Sequence, residues 1–262
     1  MPKFAANLTM LWTELDPYER FAAAARNGFR HVEMLFPHEL DGDRLVATLR
    51  EHQLEMVLFD PAPGNWAGGE RGVLCLPGRE PEFMQSIHDA IALAKRLGTK
   101  RLNALAGIVP PAMSRDTATE VAAANIRAAA PLIEQAGLVL MVESINGVDM
   151  PGYLLDTVDK AADLVRAAGS ESVRLQFDQY HCAMSGGNAI EEFRRYAPLI
   201  RHVQIADVPG RHQPGTGQQP IEAFLDELDK LGYDGFVGLE YRPQGTTEES
   251  LSWLEARRRS AV

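Results

Sequence analysis

Short apolar runs alternate with longer amphipathic stretches along the whole chain. The runs cover 4–8, 31–36, 54–59, 101–107, 138–144, 173–181, 200–207 and 236–241. Each is rich in Val, Ile, Leu, Met or Phe and is bounded by turn residues, which predicts a strand. Helical periodicity fills the gaps. It predicts helices over about 17–27, 41–52, 80–97, 114–135, 157–168, 189–196 and 220–231, and a last one capped by Thr246 and ending near Arg258. The punctuation agrees: Pro17 sits in a first turn, Ser114 is a natural N-cap, and Gly28, Gly98, Gly137 and Gly169 follow helix ends. One long irregular stretch interrupts the rhythm, from Asp60 to Glu80; Trp66 and its glycines predict an ordered active-site loop.

Eight strands alternating with eight helices predict a parallel sheet, and eight units predict closure into a (β/α)8 barrel. The alternative is an open doubly wound sheet. That fold wants a glycine fingerprint in its first strand-to-helix turn, and LTMLWTELD has none. With 262 residues, 45% hydrophobic and 24% charged, the chain has the length of one such barrel, about 250 residues, so residues 1–262 are expected to form a single domain.

Charge and cysteine content narrow the function. A formal net charge of −10 disfavours phosphate binding, so no nucleic-acid partner is expected. Cys75 and Cys182 fit neither a metal spacing nor a disulfide framework, which points to reduced thiols in a cytoplasmic protein. No apolar run approaches the ~18 residues of a membrane span. The opening MPKFAANLTM is too short and polar for a secretory signal.

The chemistry gathers where strands stop. The stretch VRLQFDQYH ends in Asp178, with His181 three residues on in the expected loop. The neighbouring runs deliver Glu143, then Gln204 followed by Asp207, then Glu240. In a barrel, groups at strand carboxyl ends build the active site. Three carboxylates close together repel one another, and a divalent cation removes that repulsion. An all-oxygen set favours Mg²⁺ or Mn²⁺ over zinc. His181 suits a donor to a substrate oxygen, and Arg211, in a Gly- and Pro-rich loop, a bidentate partner for a substrate carboxylate. Glu33 is a candidate supporting residue; Asn7, Trp12 and Trp66 are candidates for the pocket wall.

Several stretches, taken in order, resemble the hydroxypyruvate isomerase family of xylose isomerase-like (AP endonuclease family 2) barrels. They are FAANLTMLWTE, GFRHVEMLFP, APGNWAGGERG with LPGRE, VESIN, FDQYH, HVQIADVPGRHQPGTG and GLEYRPQGTTEESL. The resemblance implies metal ligation by Glu143, Asp178, Gln204 and Glu240, acid/base catalysis by Glu143 and Glu240, and substrate contacts from His181 and Arg211. It also implies a homodimer, for which no residue argues. One departure stands out: Gln213 and Gln218 occupy positions where the family pattern has Glu.

The expected reaction interconverts hydroxypyruvate and tartronate semialdehyde, with the two glutamates moving protons through a metal-stabilised enediolate. A 2-oxo-tetronate isomerase or a ketose 3-epimerase would use the same residues. An apurinic-site endonuclease would want several strand-end histidines and a basic face, both missing here. A non-catalytic sugar-acid binding protein would have no need for the intact set.

Overall fold

The computed structural model describes the backbone of residues 2–260 and side chains as far as Arg257. Strands β1 (Lys3–Asn7), β2 (His31–Met34), β3 (Glu55–Phe59), β4 (Arg101–Asn103), β5 (Val139–Glu143), β6 (Val173–Asp178), β7 (Ile200–Ile205) and β8 (Phe236–Leu239) pair in that order. All pairs are parallel, and β8 closes on β1. Helices α1 (Pro17–Arg26), α2 (Gly42–Glu51), α3 (Glu80–Leu97), α4 (Arg115–Gln135), α5 (Val158–Ala168), α6 (Gln179–Met184), α7 (Ala189–Tyr196), α8 (Ile221–Lys230), α9 (Thr247–Ser250) and α10 (Ser252–Ser260) connect or follow them, with a 3-10 turn at Pro37–Glu39. The closed (β/α)8 barrel is the architecture that the strand–helix alternation predicts. No helix among the described residues is long and apolar enough to cross a membrane.

The helix ends follow local chemistry. Asp16 and Glu19 form a capping box ahead of Pro17, while Ser114, Thr157 and Asn188 accept backbone N–H groups of α4, α5 and α7. Gly98 and Gly169 end α3 and α5 in the left-handed conformation, which costs glycine nothing. Helix α4 runs through Pro131. Its buried face of Ala118, Ala122, Ala129, Ala130 and Ile133 packs against the barrel and offsets the missing N–H.

Three elements depart from the pattern. The run 101–107 is a strand only to Asn103. Ala104 N–H still donates to Met141 O of β5 at 2.8 Å, but beyond it the backbone serves two loops: Cys75 N–H donates to Ala106 O, and Leu154 N–H donates to Gly107 O, both at 2.9 Å. His181 lies on the short helix α6, not in a loop. The last predicted helix is split at Leu251, where the Ser250 carbonyl accepts the Tyr241 hydroxyl. Ten α-helices therefore stand among the described residues where the sequence predicts eight.

All six residues of β6 are buried, because a barrel strand is covered on both faces. Val173, Leu175 and Phe177 join the main core under the helices. Phe177 packs on Phe193 and Phe224, with ring centroids 5.8 and 5.9 Å away. Burying one such ring contributes roughly 1.5–3 kcal/mol. Inside the barrel, Ala5, Val57, Leu58, Met141 and Phe236 form a separate apolar cluster. It sits toward the amino-terminal ends of the strands, Phe236 being the first residue of β8. The carboxyl-terminal half of the interior is polar.

Candidate active site

The parallel register sets the polar layer. It pairs Asn7 with Glu33, Glu143 with Gln176, Asp178 with Gln204, and Gln204 with Gly238. The side chains of Asn7, Glu33, Glu143, Gln176 and Gln204 are buried and, with Asn103 and His202, form one hydrogen-bonded chain across the barrel. Asn7 Nδ2 donates to Glu33 Oε1 (2.9 Å), and Gln204 Nε2 donates to the same oxygen (2.8 Å). His202 Nε2 lies 2.7 Å from Glu33 Oε2. Gln176 Nε2 donates to Gln204 Oε1 (2.7 Å) and to Glu143 Oε2 (2.9 Å), and Asn103 Nδ2 donates to Glu143 Oε2 (3.1 Å). A carboxylate only accepts, so Glu33 fixes the Gln204 amide with its oxygen turned toward β6. That oxygen keeps a second lone pair after taking the Gln176 N–H. Gly238 makes room for this hub: a Cβ there would sit 2.4 Å from both Glu33 carboxylate oxygens.

Above this layer lies a cavity of about 620 Å³, a size suited to a small molecule. Glu143, Gln204, Glu240, His181, Arg211, Asn7, Glu33 and Trp66 line it. Trp12 does not; it is buried elsewhere, with its indole N–H bound to Glu248 at 2.7 Å. Asp178 does two things. Its Oδ1 caps α6 by accepting the Tyr180 and His181 N–H groups, while Oδ2 faces His181 Nε2 (3.6 Å) and Arg211 Nη2 (3.3 Å). Arg211 Nη2 also donates to Glu240 Oε2 at 2.8 Å. Arg211 has φ +57, a left-handed conformation strained for a residue with a Cβ. The Arg242 N–H, donating to Arg211 O at 2.7 Å, helps hold it there. In the same loop, Asp207 is a structural anchor: its carboxylate accepts the N–H groups of Val208, Gly215, Gly217 and Gln219.

The electrostatics follow from crowding acids in a dry place. Burial, then the charges of Glu240, Asp178 and Asp60, push the Glu143 carboxyl well above the ordinary range against the pull of Arg211. Burial likewise raises Glu240, to about 8; Arg211 opposes, and Asp178 and Glu33 add to the rise. Asp60 is raised well above its usual value by burial and by Glu240 and Glu33. Burial works against the Arg211 cation, but Glu240, Asp178 and Glu143 more than offset it and raise its pKa.

Donor atoms of Glu143, Asp178 and His181 lie within 4.8 Å of one another, close enough to hold a metal ion. A divalent cation fits the acids here: three buried carboxylates, of Glu143, Asp178 and Glu240, face the one arginine Arg211, and the Gln204 oxygen, oriented by Glu33, has a lone pair left. The ring of His181 is placed differently. Asn146 Oδ1 accepts the Val148 and Asp149 N–H groups (3.0 and 2.8 Å), which orients its amide, and its Nδ2 then donates to His181 Nδ1 at 2.7 Å. With Nδ1 accepting, the neutral ring carries its proton on Nε2, an assignment made from the network. Burial lowers the His181 pKa to about 3 against the pull of Asp178, which keeps the ring neutral. Nε2–H is therefore a hydrogen-bond donor rather than a lone-pair ligand.

Some site residues are not among the candidates that the sequence marks. Asp60 and Asn103 close β3 and β4 and obey the same rule that singles out Glu143. Gln176 has the alternation of a packed strand residue, and nothing local in VESIN marks Asn146. Gln213 holds its loop as an amide: Nε2 donates to Gln244 O, and Oε1 accepts Gln244 N–H, at 3.3 and 2.9 Å. A glutamate would lack the donor. Gln218 is exposed.

The profile of the xylose isomerase-like TIM barrel family, AP endonuclease family 2, matches residues 21–257. The chain belongs to that family. It is 40% identical to the 2-oxo-tetronate isomerase of Cupriavidus necator, covering 97% of this chain and 98% of the relative. It is 38% identical to the hydroxypyruvate isomerase of Escherichia coli K12, over 97% and 99%. The crystal structure of an AP endonuclease family 2 protein from Brucella melitensis superposes with a TM-score of 0.95 at 38% identity, covering 98% of this chain and 99% of that one. With full-length relatives of this kind, the chain is an enzyme of the isomerase class acting on a small molecule.

Proposed function

We propose that this chain, as one barrel domain, isomerises a small hydroxy-oxo acid, with hydroxypyruvate and tartronate semialdehyde (2-hydroxy-3-oxopropanoate) as the pair. The observation that carries the reading is two buried glutamates, Glu143 from β5 and Glu240 after β8, both with raised carboxyl pKa, lining one cavity with a neutral His181. A carboxyl raised toward neutrality, as that of Glu240 is to about 8, is suited to taking and returning a proton. One glutamate takes a proton from C3 of hydroxypyruvate and the other delivers one to C2. The C3 hydroxyl loses its proton as the aldehyde forms, and O2 gains one. Nε2–H of His181 donates to the enediolate oxygen, and Arg211 contacts the substrate from the Glu240 side.

Glu143, Asp178, Gln204 and Glu240 would hold a divalent metal, with Mg²⁺ or Mn²⁺ favoured by their oxygen donors. When bound, such an ion polarises the carbonyl and makes the neighbouring C–H more acidic. The 40% identity to a 2-oxo-tetronate isomerase supports a second reading, the same chemistry on a four-carbon acid.

The test is proton NMR in D2O with enzyme and Mg²⁺ or Mn²⁺, offering hydroxypyruvate, a 2-oxo-tetronate and a free ketose in parallel. Hydroxypyruvate is expected to convert with EDTA-sensitive deuterium uptake beside the carbonyl. Preference for the four-carbon acid would establish the second reading. Turnover of the ketose alone would sink the acid assignment.

A further inference from the structure

We propose that Arg71, in the loop between β3 and α3, binds the substrate carboxylate and so sets a preference for acids over neutral sugars. The proposal rests on reading the site as one for a small oxo acid. Glu33, Asp60, Glu143, Asp149 and Glu240 line the cavity. An anionic substrate is repelled there unless its carboxylate meets a cation with free donors. Three arginines line the same cavity: Arg71, Arg211 and Arg242. Arg211 is engaged by Glu240 and Asp178. Arg242 is exposed, and among the described residues no partner fixes its guanidinium.

Arg71 differs from both. It is half-buried, and its guanidinium carbon sits 4.1 Å from the centre of the Trp66 ring. Nη1 donates to the carbonyls of Trp66 (3.1 Å) and Glu70 (2.7 Å). Among the described residues no carboxylate pairs with it. The two carbonyls and the ring fix the plane of the guanidinium while Nη2 and Nε stay available, which is the fork that a carboxylate accepts in bidentate fashion.

The mount is rigid. Glu70 is gripped by Arg79 (2.7 and 3.3 Å) and accepts the Asn65 N–H. Trp66 packs on Phe36 at 4.9 Å. Gly72, next to Arg71, has φ +110, and a Cβ there would lie 2.1 Å from Leu105 O, so the loop is pressed onto the segment after β4. In a closed eight-stranded barrel the loops after β3 and β7 lie on opposite sides. Arg71 thus approaches from across the mouth from Arg211, holding the carboxylate away from the acid cluster and the reacting carbons between the two.

The metal-supplemented enzyme would be compared with Arg71→Gln, Arg71→Lys and Arg242→Gln. Hydroxypyruvate and dihydroxyacetone, in which CH2OH replaces the carboxylate, serve as substrates; binding of glycerate and of glycerol is followed by tryptophan fluorescence. Arg71→Gln is expected to raise KM for hydroxypyruvate and Kd for glycerate by about 10- to 100-fold. It should leave kcat and all values for dihydroxyacetone and glycerol near wild type. Arg71→Lys should fall between, and Arg242→Gln should match wild type. A loss shared equally by acidic and neutral ligands would overturn the proposal, since a loop merely disordered would give it, and so would an acid-specific loss in Arg242→Gln. If no acid is turned over but glycerate binds in an Arg71-dependent way, the reaction assigned above fails and the carboxylate assignment stands. If the wild type binds no glycerate, the assignment of Arg71 falls.

Discussion

Strands β5–β8 end in or beside Glu143, Asp178, Gln204 and Glu240, whereas β1–β4 end in or beside Asn7, Glu33, Asp60 and Asn103. The β5–β8 half presents acids to the cavity together with Arg211 and the α6 histidine. The β1–β4 half turns its polar groups inward, toward the other half. Glu33 reaches across the barrel to orient Gln204 and His202, and Asn103 steadies Glu143. On the proposed mechanism the contrast is a division of labour: the β5–β8 half would move protons, while the β1–β4 half aligns it and, through Arg71, would face the substrate from the opposite side. Supporting residues of this kind are needed because a ligand or base held loosely loses most of its effect.

The largest test of that division is Glu143→Gln, which keeps the shape and removes one of the two acid/base groups. Turnover is expected to fall about 10²- to 10⁴-fold with an unchanged circular dichroism spectrum. Near-normal kcat would end the two-glutamate mechanism. Next comes Glu33→Gln, which touches no substrate in this scheme. Three donors would then compete for one amide oxygen, the Gln204 amide would turn, and Mn²⁺ affinity by titration calorimetry should drop about 10- to 100-fold. Wild-type affinity in that variant would erase the distinction between the halves. Gly238→Ala presses a methyl onto Glu33 and should destabilise the fold by about 1–3 kcal/mol in urea unfolding; no change would mean that the hub has slack.

The last effect is a slope. Folded His181 stays neutral down to about pH 3, while the unfolded chain binds its proton below about 6.5. Across that window the unfolded state holds more protons, so stability falls as pH falls, by up to about 1.4 kcal/mol per unit. His181→Asn should show a shallower decline between pH 6.5 and 3 than wild type. An identical slope would mean that the ring is solvated and not held by Asn146.

Much of this molecule was legible in the chain itself. The eight apolar runs, their spacing and the caps at Ser114 and Thr246 are local properties, and local properties survive without tertiary context. The acids at strand ends were legible for the same reason: a charged residue terminating an apolar run breaks the pattern at one position. Asn146 was hidden because its significance is a 2.7 Å contact to a residue 35 positions away. Gln176 and His202 read as ordinary strand residues until closure of the barrel turned them inward. The short helix α6 escaped notice because its six residues are capped by Asp178, the same side chain that faces the site.

Sequence by itself therefore determined the barrel, the order of its elements and the side chains that end β5–β8, since hydrophobic periodicity and capping act over a few residues. Only the tertiary structure decided how those groups are oriented: which way the Gln204 amide faces, which nitrogen of His181 carries the proton, and which arginine is held in place without an acid partner. Those outcomes depend on hydrogen bonds and charges brought together by closure of the sheet, across separations that no local pattern encodes.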